Sequence, residues 1–180
     1  AAAISEKTKL FILNSPSNPT GAVYSRGQLE ALGEVLREHP EVLIASDDIY
    51  EHVLWTDEPF TNIAMACPEL KDQVMVINGV SKAYAMTGWR LGWITAPPDL
   101  LLILAKLTEY NIAGPATFVQ HAGIAALREG EGHVGQSRAK FEKRRDLVYR
   151  RLSSLNRISM AKPKGAFYAF FSVDGEANSL

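Results

Sequence analysis

Residues 74–93 read VMVINGVSKAYAMTGWRLGW, and the first six of them decide how the rest of the chain is read. Val74, Met75, Val76 and Ile77 form a compact apolar run that stops at Asn78 and Gly79, the pattern of a buried strand opening into a polar turn. Lys82 follows that turn directly. A second run of the same kind, at 42–45, breaks at Ser46, Asp47 and Asp48, and both read as buried parallel strands.

Working outward, Leu10 to Leu13 is a further short apolar run. Pro16, Pro19 and Gly21 then exclude regular structure from 14–21, so a strand should end by Leu13. Ser25 with Gln28 three residues on is a capping box, and Leu29, Leu32, Val35 and Leu36 make one apolar stripe of a helix that stops before Pro40. Residues 91–95 suggest another strand, ended by Pro97 and Pro98, and helices are expected over 99–107 and 116–127. Gly130 to Gly135 should interrupt the pattern before a long helix over 137–155, with Phe141, Val148, Leu152 and Leu155 near one face. Bulky aromatic residues after Gly165 favour a strand over 166–173. Alternating strands and helices followed by a long helix and a late strand predict an α/β domain passing into a smaller one.

Composition narrows the function. Nineteen Lys plus Arg against twenty Asp plus Glu leave a net charge of -1, so no broad positive field is available for nucleic acid. The longest apolar run, Leu100 to Ala105, is far short of the roughly 18 residues of a membrane span. Cys67 is the only cysteine, which excludes an intrachain disulfide and fits a reducing, cytoplasmic setting. No dinucleotide or nucleoside-triphosphate phosphate loop is present, and no metal is expected, because His39, His52, His121 and His133 lack ligand spacing. The seven Lys or Arg within 138–151 read as the solvated face of the long helix.

In open α/β sheets ligands bind beyond the carboxyl ends of strands, which draws attention to Asp47, Tyr50 and Lys82. Taken singly, Asp47 also reads as a loop carboxylate or cap, Tyr50 as a rim aromatic and Lys82 as a surface lysine. Taken together with NSPSNPTG at 14–21 and SDDIYEH at 46–52, the segment NGVSKAYAMTGWRLGW at 78–93 resembles the class I and II aminotransferases of pyridoxal-phosphate fold type I. The bacterial aspartate and aromatic aminotransferase-like proteins are the most similar group, and the likeness covers nearly all 180 residues.

That resemblance implies that residues 1–136 are the C-terminal portion of a large pyridoxal-phosphate-binding domain, a mostly parallel sheet flanked by helices. Residues 137–180 would be the interdomain helix and the start of a small α+β domain. Lys82 takes the Schiff-base position, Asp47 faces the pyridine nitrogen, and Tyr50 and Asn18 donate to the phenolic oxygen. Arg90 grips the phosphate. Many family members carry a phosphate-binding serine where this chain has Gly79, which leaves the Gly79 backbone amide, or Ser81, to make that contact. The implied reaction moves an amino group from aspartate or an aromatic amino acid to 2-oxoglutarate or another 2-oxo acid by a ping-pong cycle through Lys82, in a homodimer. The alternatives are a lyase on the same fold and a noncatalytic α/β module. The family's upstream phosphate loop, ring-stacking aromatic and late carboxylate-binding arginine find no match here, so the 180 residues are expected to be a fragment with no appreciable activity alone.

Overall fold

The computed structural model describes residues 3–175. Its main sheet has four strands in the order β1 (Leu10–Asn14), β2 (Leu43–Asp47), β3 (Val74–Gly79) and β4 (Gly92–Thr95). β1, β2 and β3 run parallel, whereas β4 pairs antiparallel with β3. The apolar runs at 42–45 and 74–77 thus lie in neighbouring parallel strands.

Helix α1 (Arg26–Arg37) crosses from β1 to β2 and is started by the capping box. Gln28 N donates to Ser25 Oγ at 3.3 Å and Ser25 N to Gln28 Oε1 at 3.0 Å, which satisfies two amides that a helix start leaves free. Its apolar face puts Leu29 and Leu36 into a core with Leu13, Ile44, Ile63, Cys67, Leu70 and Val74. Ile63 and Cys67 reach that core from the short helix α2 (Ile63–Ala66) and the residue that ends it. Gly33 lies where a Cβ would overlap Cys67 Sγ, so the helix approaches α2 at a distance only glycine permits.

Beyond β4 come α3 (Pro98–Ile112), α4 (Thr117–Glu129) and α5 (Glu131–Ser153), then a two-stranded antiparallel sheet of β5 (Ile158–Met160) and β6 (Phe171–Val173). Two expectations change here. The break foreseen over 130–135 shrinks to Gly130, whose N–H closes α4 on Ala126 O at 2.8 Å; α5 starts at Glu131 and runs through Gly132 and Gly135. Glu131 in the first turn complements the helix dipole, and Gly132 and Gly135 face open space where their cost is about 1 kcal/mol each. The strand foreseen over 166–173 shortens to β6, because Ala166 adopts φ +54 and donates its N–H to Val53 O at 2.8 Å. The aromatic residues after it pack onto Tyr50 instead of continuing a ladder.

Candidate active site

The register of the sheet brings three connecting segments to one edge. Asn14 pairs with Asp47 and Asp47 with Ile77, so the turns after β1, β2 and β3 leave the sheet side by side at its carboxyl end. Asn14 Nδ2 donates to Asp47 O at 3.3 Å, and Asn14 Oδ1 accepts the Asn18 N–H at 2.6 Å. One side chain therefore ties the turn holding Asn18 to the strand end holding Asp47. The Asn18 side chain itself is exposed.

Asp47 is half-buried, and its Oδ1 accepts the Ile49 N–H at 3.2 Å, an Asx-type turn that leads the chain from β2 to Tyr50. Tyr50 is 2% exposed. Phe167 and Tyr168 meet its ring edge-on, with centroids 5.3 and 5.7 Å away, and its hydroxyl contacts the Tyr168 hydroxyl. Burial pushes the Tyr50 phenol well above its ordinary range, so it stays a protonated donor at any working pH.

Lys82 is half-buried in the turn after β3, with Nζ 5.9 Å from the centroid of the Tyr50 ring. No carboxylate forms a salt bridge with it among the described residues.

The remaining positions form the rim. Gly79 is buried where a Cβ would lie 2.8 Å from Leu91 O and 3.0 Å from Gly92 Cα, so the close pairing of β3 with β4 excludes any side chain. Its N–H donates to Asn78 Oδ1 at 2.7 Å. Ser81 O accepts from Thr87 Oγ1 at 3.1 Å, which fastens the 3-10 turn Thr87–Trp89 to the Lys82 segment. Arg90 caps that turn at φ +54, exposed, with Nη1 donating to Thr87 O at 3.1 Å. The structure thus joins Asp47, Tyr50 and Lys82 around one strand edge, ties the Asn18 turn to it through Asn14, and leaves Arg90 on an outer turn.

Two residues of this arrangement went unread in the sequence. Tyr168 sits 118 positions from its hydroxyl partner, and the aromatic cluster at 167–171 was its only signal. Asp48, next to Asp47, is 2% exposed, and accepts from Ser46 Oγ at 2.7 Å and Asn62 Nδ2 at 2.6 Å. Burial raises its carboxyl to about 6. A groove of about 550 Å³ lined by Tyr24, Arg26, Trp55, Phe60 and Lys164 holds none of the site residues. No group of His, Cys, Asp and Glu among the described residues is arranged to hold a metal ion, and no helix there is long and apolar enough to cross a membrane.

A mostly parallel sheet carries an amine, a carboxylate and a buried phenol at its carboxyl edge, and the chain belongs to the class I and II aminotransferase family, whose model matches residues 1–180. The fold is the large-domain architecture of fold type I pyridoxal-phosphate-dependent transferases with the start of the small domain. The chain is 43% identical over 174 residues to the aspartate/prephenate aminotransferase of Cereibacter sphaeroides, covering 97% of this chain and 44% of that protein. It is also 43% identical over 168 residues to the aspartate aminotransferase of Geobacillus stearothermophilus, covering 93% and 42%. Among solved structures, the aspartate aminotransferase from Rhizobium meliloti superposes with a TM-score of 0.93 at 39% identity, over 97% of this chain and 44% of that one. The aromatic aminotransferase from Pyrococcus horikoshii OT3 gives 0.89 at 37% identity, over 94% and 45%. The chain therefore spans less than half the length of the relatives it matches.

Proposed function

We propose that this chain carries the cofactor-binding half of an aminotransferase active site, with Lys82 as the residue that links covalently to pyridoxal phosphate. The observation that supports it most directly is the placement of Lys82 Nζ over the ring of Tyr50, next to the strand end that carries Asp47. The donor set fits the cofactor's chemistry: an amine for an aldehyde, a carboxylate for a ring N–H, hydroxyl and amide donors for a phenolic oxygen, and a guanidinium for a phosphate. When bound, pyridoxal phosphate supplies an aldehyde and a ring that draws electron density from the substrate Cα.

Each residue then has a task. Lys82 Nζ would serve as the base that takes the substrate Cα proton and holds it for return. Asp47 would offer its carboxylate as the acceptor for a ring N–H, and its bond from Ile49 N fixes the carboxylate's direction. Tyr50, a protonated donor held by burial, directs its hydroxyl with the Asn18 amide at the phenolic oxygen. Arg90 presents a planar fork to the phosphate, aided by Ser81 or the Gly79 backbone, although Asn78 competes for the Gly79 amide.

The amino donors that fit this reading are aspartate and aromatic amino acids, the substrates that the relatives' names carry, and 2-oxoglutarate is the acceptor we assign. The same resemblance supports reading the working enzyme as a cytoplasmic homodimer, with the domain boundary near residue 137 inside α5.

Borohydride reduction of the cofactor-loaded enzyme, followed by peptide mass mapping, tests the proposal. The pyridoxyl label is expected on Lys82; a label on Lys71 or Lys106 overturns the assignment. Glutamate formed from 2-oxoglutarate supports transfer, whereas pyruvate and ammonia without transfer select a lyase.

A further inference from the structure

The segment 163–168 touches both turns that bear the candidate donors. Lys164 N and Gly165 N both donate to Gly21 O, at 2.9 and 3.0 Å, which anchors the segment on the turn that holds Asn18. Trp55 N donates to Lys164 O at 2.9 Å and Ala166 N to Val53 O at 2.8 Å, which anchors it on the stretch that follows Tyr50. The contacts are close enough to dictate residue type. A Cβ on Gly165 would come within 2.5 Å of Pro16 Cβ, and one on Gly21 within 2.6 Å of Pro163 Cβ. Ala166 is fully buried at φ +54, a backbone region costly for a residue with a Cβ, and there the chain turns so that Phe167 and Tyr168 pack on Tyr50.

At the end of this clip the Tyr168 hydroxyl meets that of Tyr50. Each phenol has one proton and can accept as well as donate, so one contact consumes one of two protons. The other titratable or charged groups facing Tyr50 are Lys82, over its ring, and Asp47. An anionic oxygen facing the Tyr50 hydroxyl leaves one arrangement that uses both protons well. Tyr168 donates to Tyr50, and Tyr50 donates to the anion, each bond polarising the next.

We propose that Tyr168 is a positioning residue that donates to the Tyr50 oxygen, so that the Tyr50 proton is committed to the ligand's phenolic oxygen. The inference rests on the reading of Tyr50 as a site donor given above, and it adds a residue from the far end of the chain to that site. Tyr168 acts through Tyr50 and need not touch the ligand.

The test is the pH midpoint of the visible absorption band of the bound cofactor, measured in the wild-type enzyme, Tyr50→Phe, Tyr168→Phe and the double variant. A donor on the phenolic oxygen draws electron density from it, so a neighbouring proton is held less tightly; loss of the donor moves the midpoint up. Tyr50→Phe should raise it most, and Tyr168→Phe should raise it by about half a pH unit, the share of one supporting hydrogen bond. The double variant should match Tyr50→Phe alone, because Tyr168 has no other route to the cofactor. Tyr168→Phe keeps both ring contacts, and a melting curve for each variant checks that packing is retained. An unmoved or lowered midpoint in Tyr168→Phe, or additive shifts in the double variant, overturns the inference. A pyridoxyl label absent from Lys82, or no shift in Tyr50→Phe, overturns the site reading and this inference with it.

Discussion

Asn62 Nδ2 donates to Asp48 Oδ2 across 2.6 Å, so the residue that caps α2 also holds the carboxylate adjacent to Asp47. Asn62 Oδ1 accepts from Met65 N at 2.9 Å, and the amide is thus used at both ends. Ser46 Oγ supplies the second donor to Asp48, at 2.7 Å, and the turn after β2 is fastened to the core side of the sheet.

This arrangement predicts a specific pH dependence of stability. Burial raises the Asp48 carboxyl from 3.8 to about 6, so the folded protein holds this proton more tightly than the unfolded chain does. Its contribution is fully present below pH 4 and is lost as pH rises to about 6, with a total of at most about 3 kcal/mol. Asp48→Asn, which can accept from Asn62 and donate to Ser46, should abolish that slope and keep the fold. Asp48→Ala strands both donors and should cost about 1–3 kcal/mol. Urea unfolding at pH 4, 5, 6 and 7 checks this; an unchanged slope in Asp48→Asn would remove Asp48 as its source.

Gly33 and Cys67 make a second, independent test. A Cβ on residue 33 would overlap Cys67 Sγ, and both residues are buried. Gly33→Ala should lower stability by about 1–3 kcal/mol through overpacking, even though alanine is the better helix former. Cys67→Ala removes the sulfur, and the double variant should recover most of the loss. Strict additivity in thermal unfolding would show that the clash is absorbed elsewhere.

The legible parts of the molecule were those governed by neighbouring residues. Ser25 and Gln28 announce the start of α1, and the runs at 42–45 and 74–77 announce buried parallel strands, because capping and burial are local matters of composition. Asp47, Tyr50 and Lys82 could be singled out because each lies at or just beyond one of those strand ends. The illegible parts depend on pairs far apart in the chain. Nothing near Ala166 foretells a left-handed residue, since its conformation answers to Val53 and Tyr50; nothing near Tyr168 foretells a hydroxyl partner 118 residues away. Gly132 and Gly135 misled in the opposite sense, as their helix cost is small enough for the 23-residue α5 to absorb.

Arg90 separates backbone strain from ligand binding. It sits at φ +54 and ψ +44, where glycine is favoured, and among the described residues its guanidinium makes only one bond, to Thr87 O within its own turn. Arg90→Gly should leave stability unchanged or raise it by up to about 1 kcal/mol. The same change should weaken cofactor binding by roughly 10- to 100-fold, the loss of charge-assisted bonds to a phosphate. Arg90→Lys should fall between, because it keeps the charge and loses the fork. Cofactor titration followed by absorbance, with a melt of each variant, decides the matter; full affinity in Arg90→Gly would place the phosphate contact elsewhere.

Asp47 offers the sharpest separation of geometry from charge. Its Oδ1 accepts the Ile49 N–H at 3.2 Å, and that bond shapes the turn that delivers Tyr50. Asparagine keeps an acceptor oxygen there and the same side-chain length, so Asp47→Asn should preserve the turn, the fold and the covalent link at Lys82. What it removes is the carboxylate, and with it, on the proposed reading, the acceptor that favours a protonated ring as charge develops at the substrate Cα. The rate of Cα proton removal should fall on the order of 10²- to 10³-fold, the usual loss for one preorganised electrostatic partner. Asp47→Ala should be slower still, because it also frees the Ile49 amide. A stopped-flow half-reaction with aspartate follows the chemistry, and borohydride mapping of the same samples follows the link. Slow proton removal with an intact Lys82 label is the expected pair of results. An unchanged half-reaction rate in Asp47→Asn rejects Asp47 as the ring partner, and loss of the Lys82 label in the same variant would make Asp47 a structural residue of the turn alone.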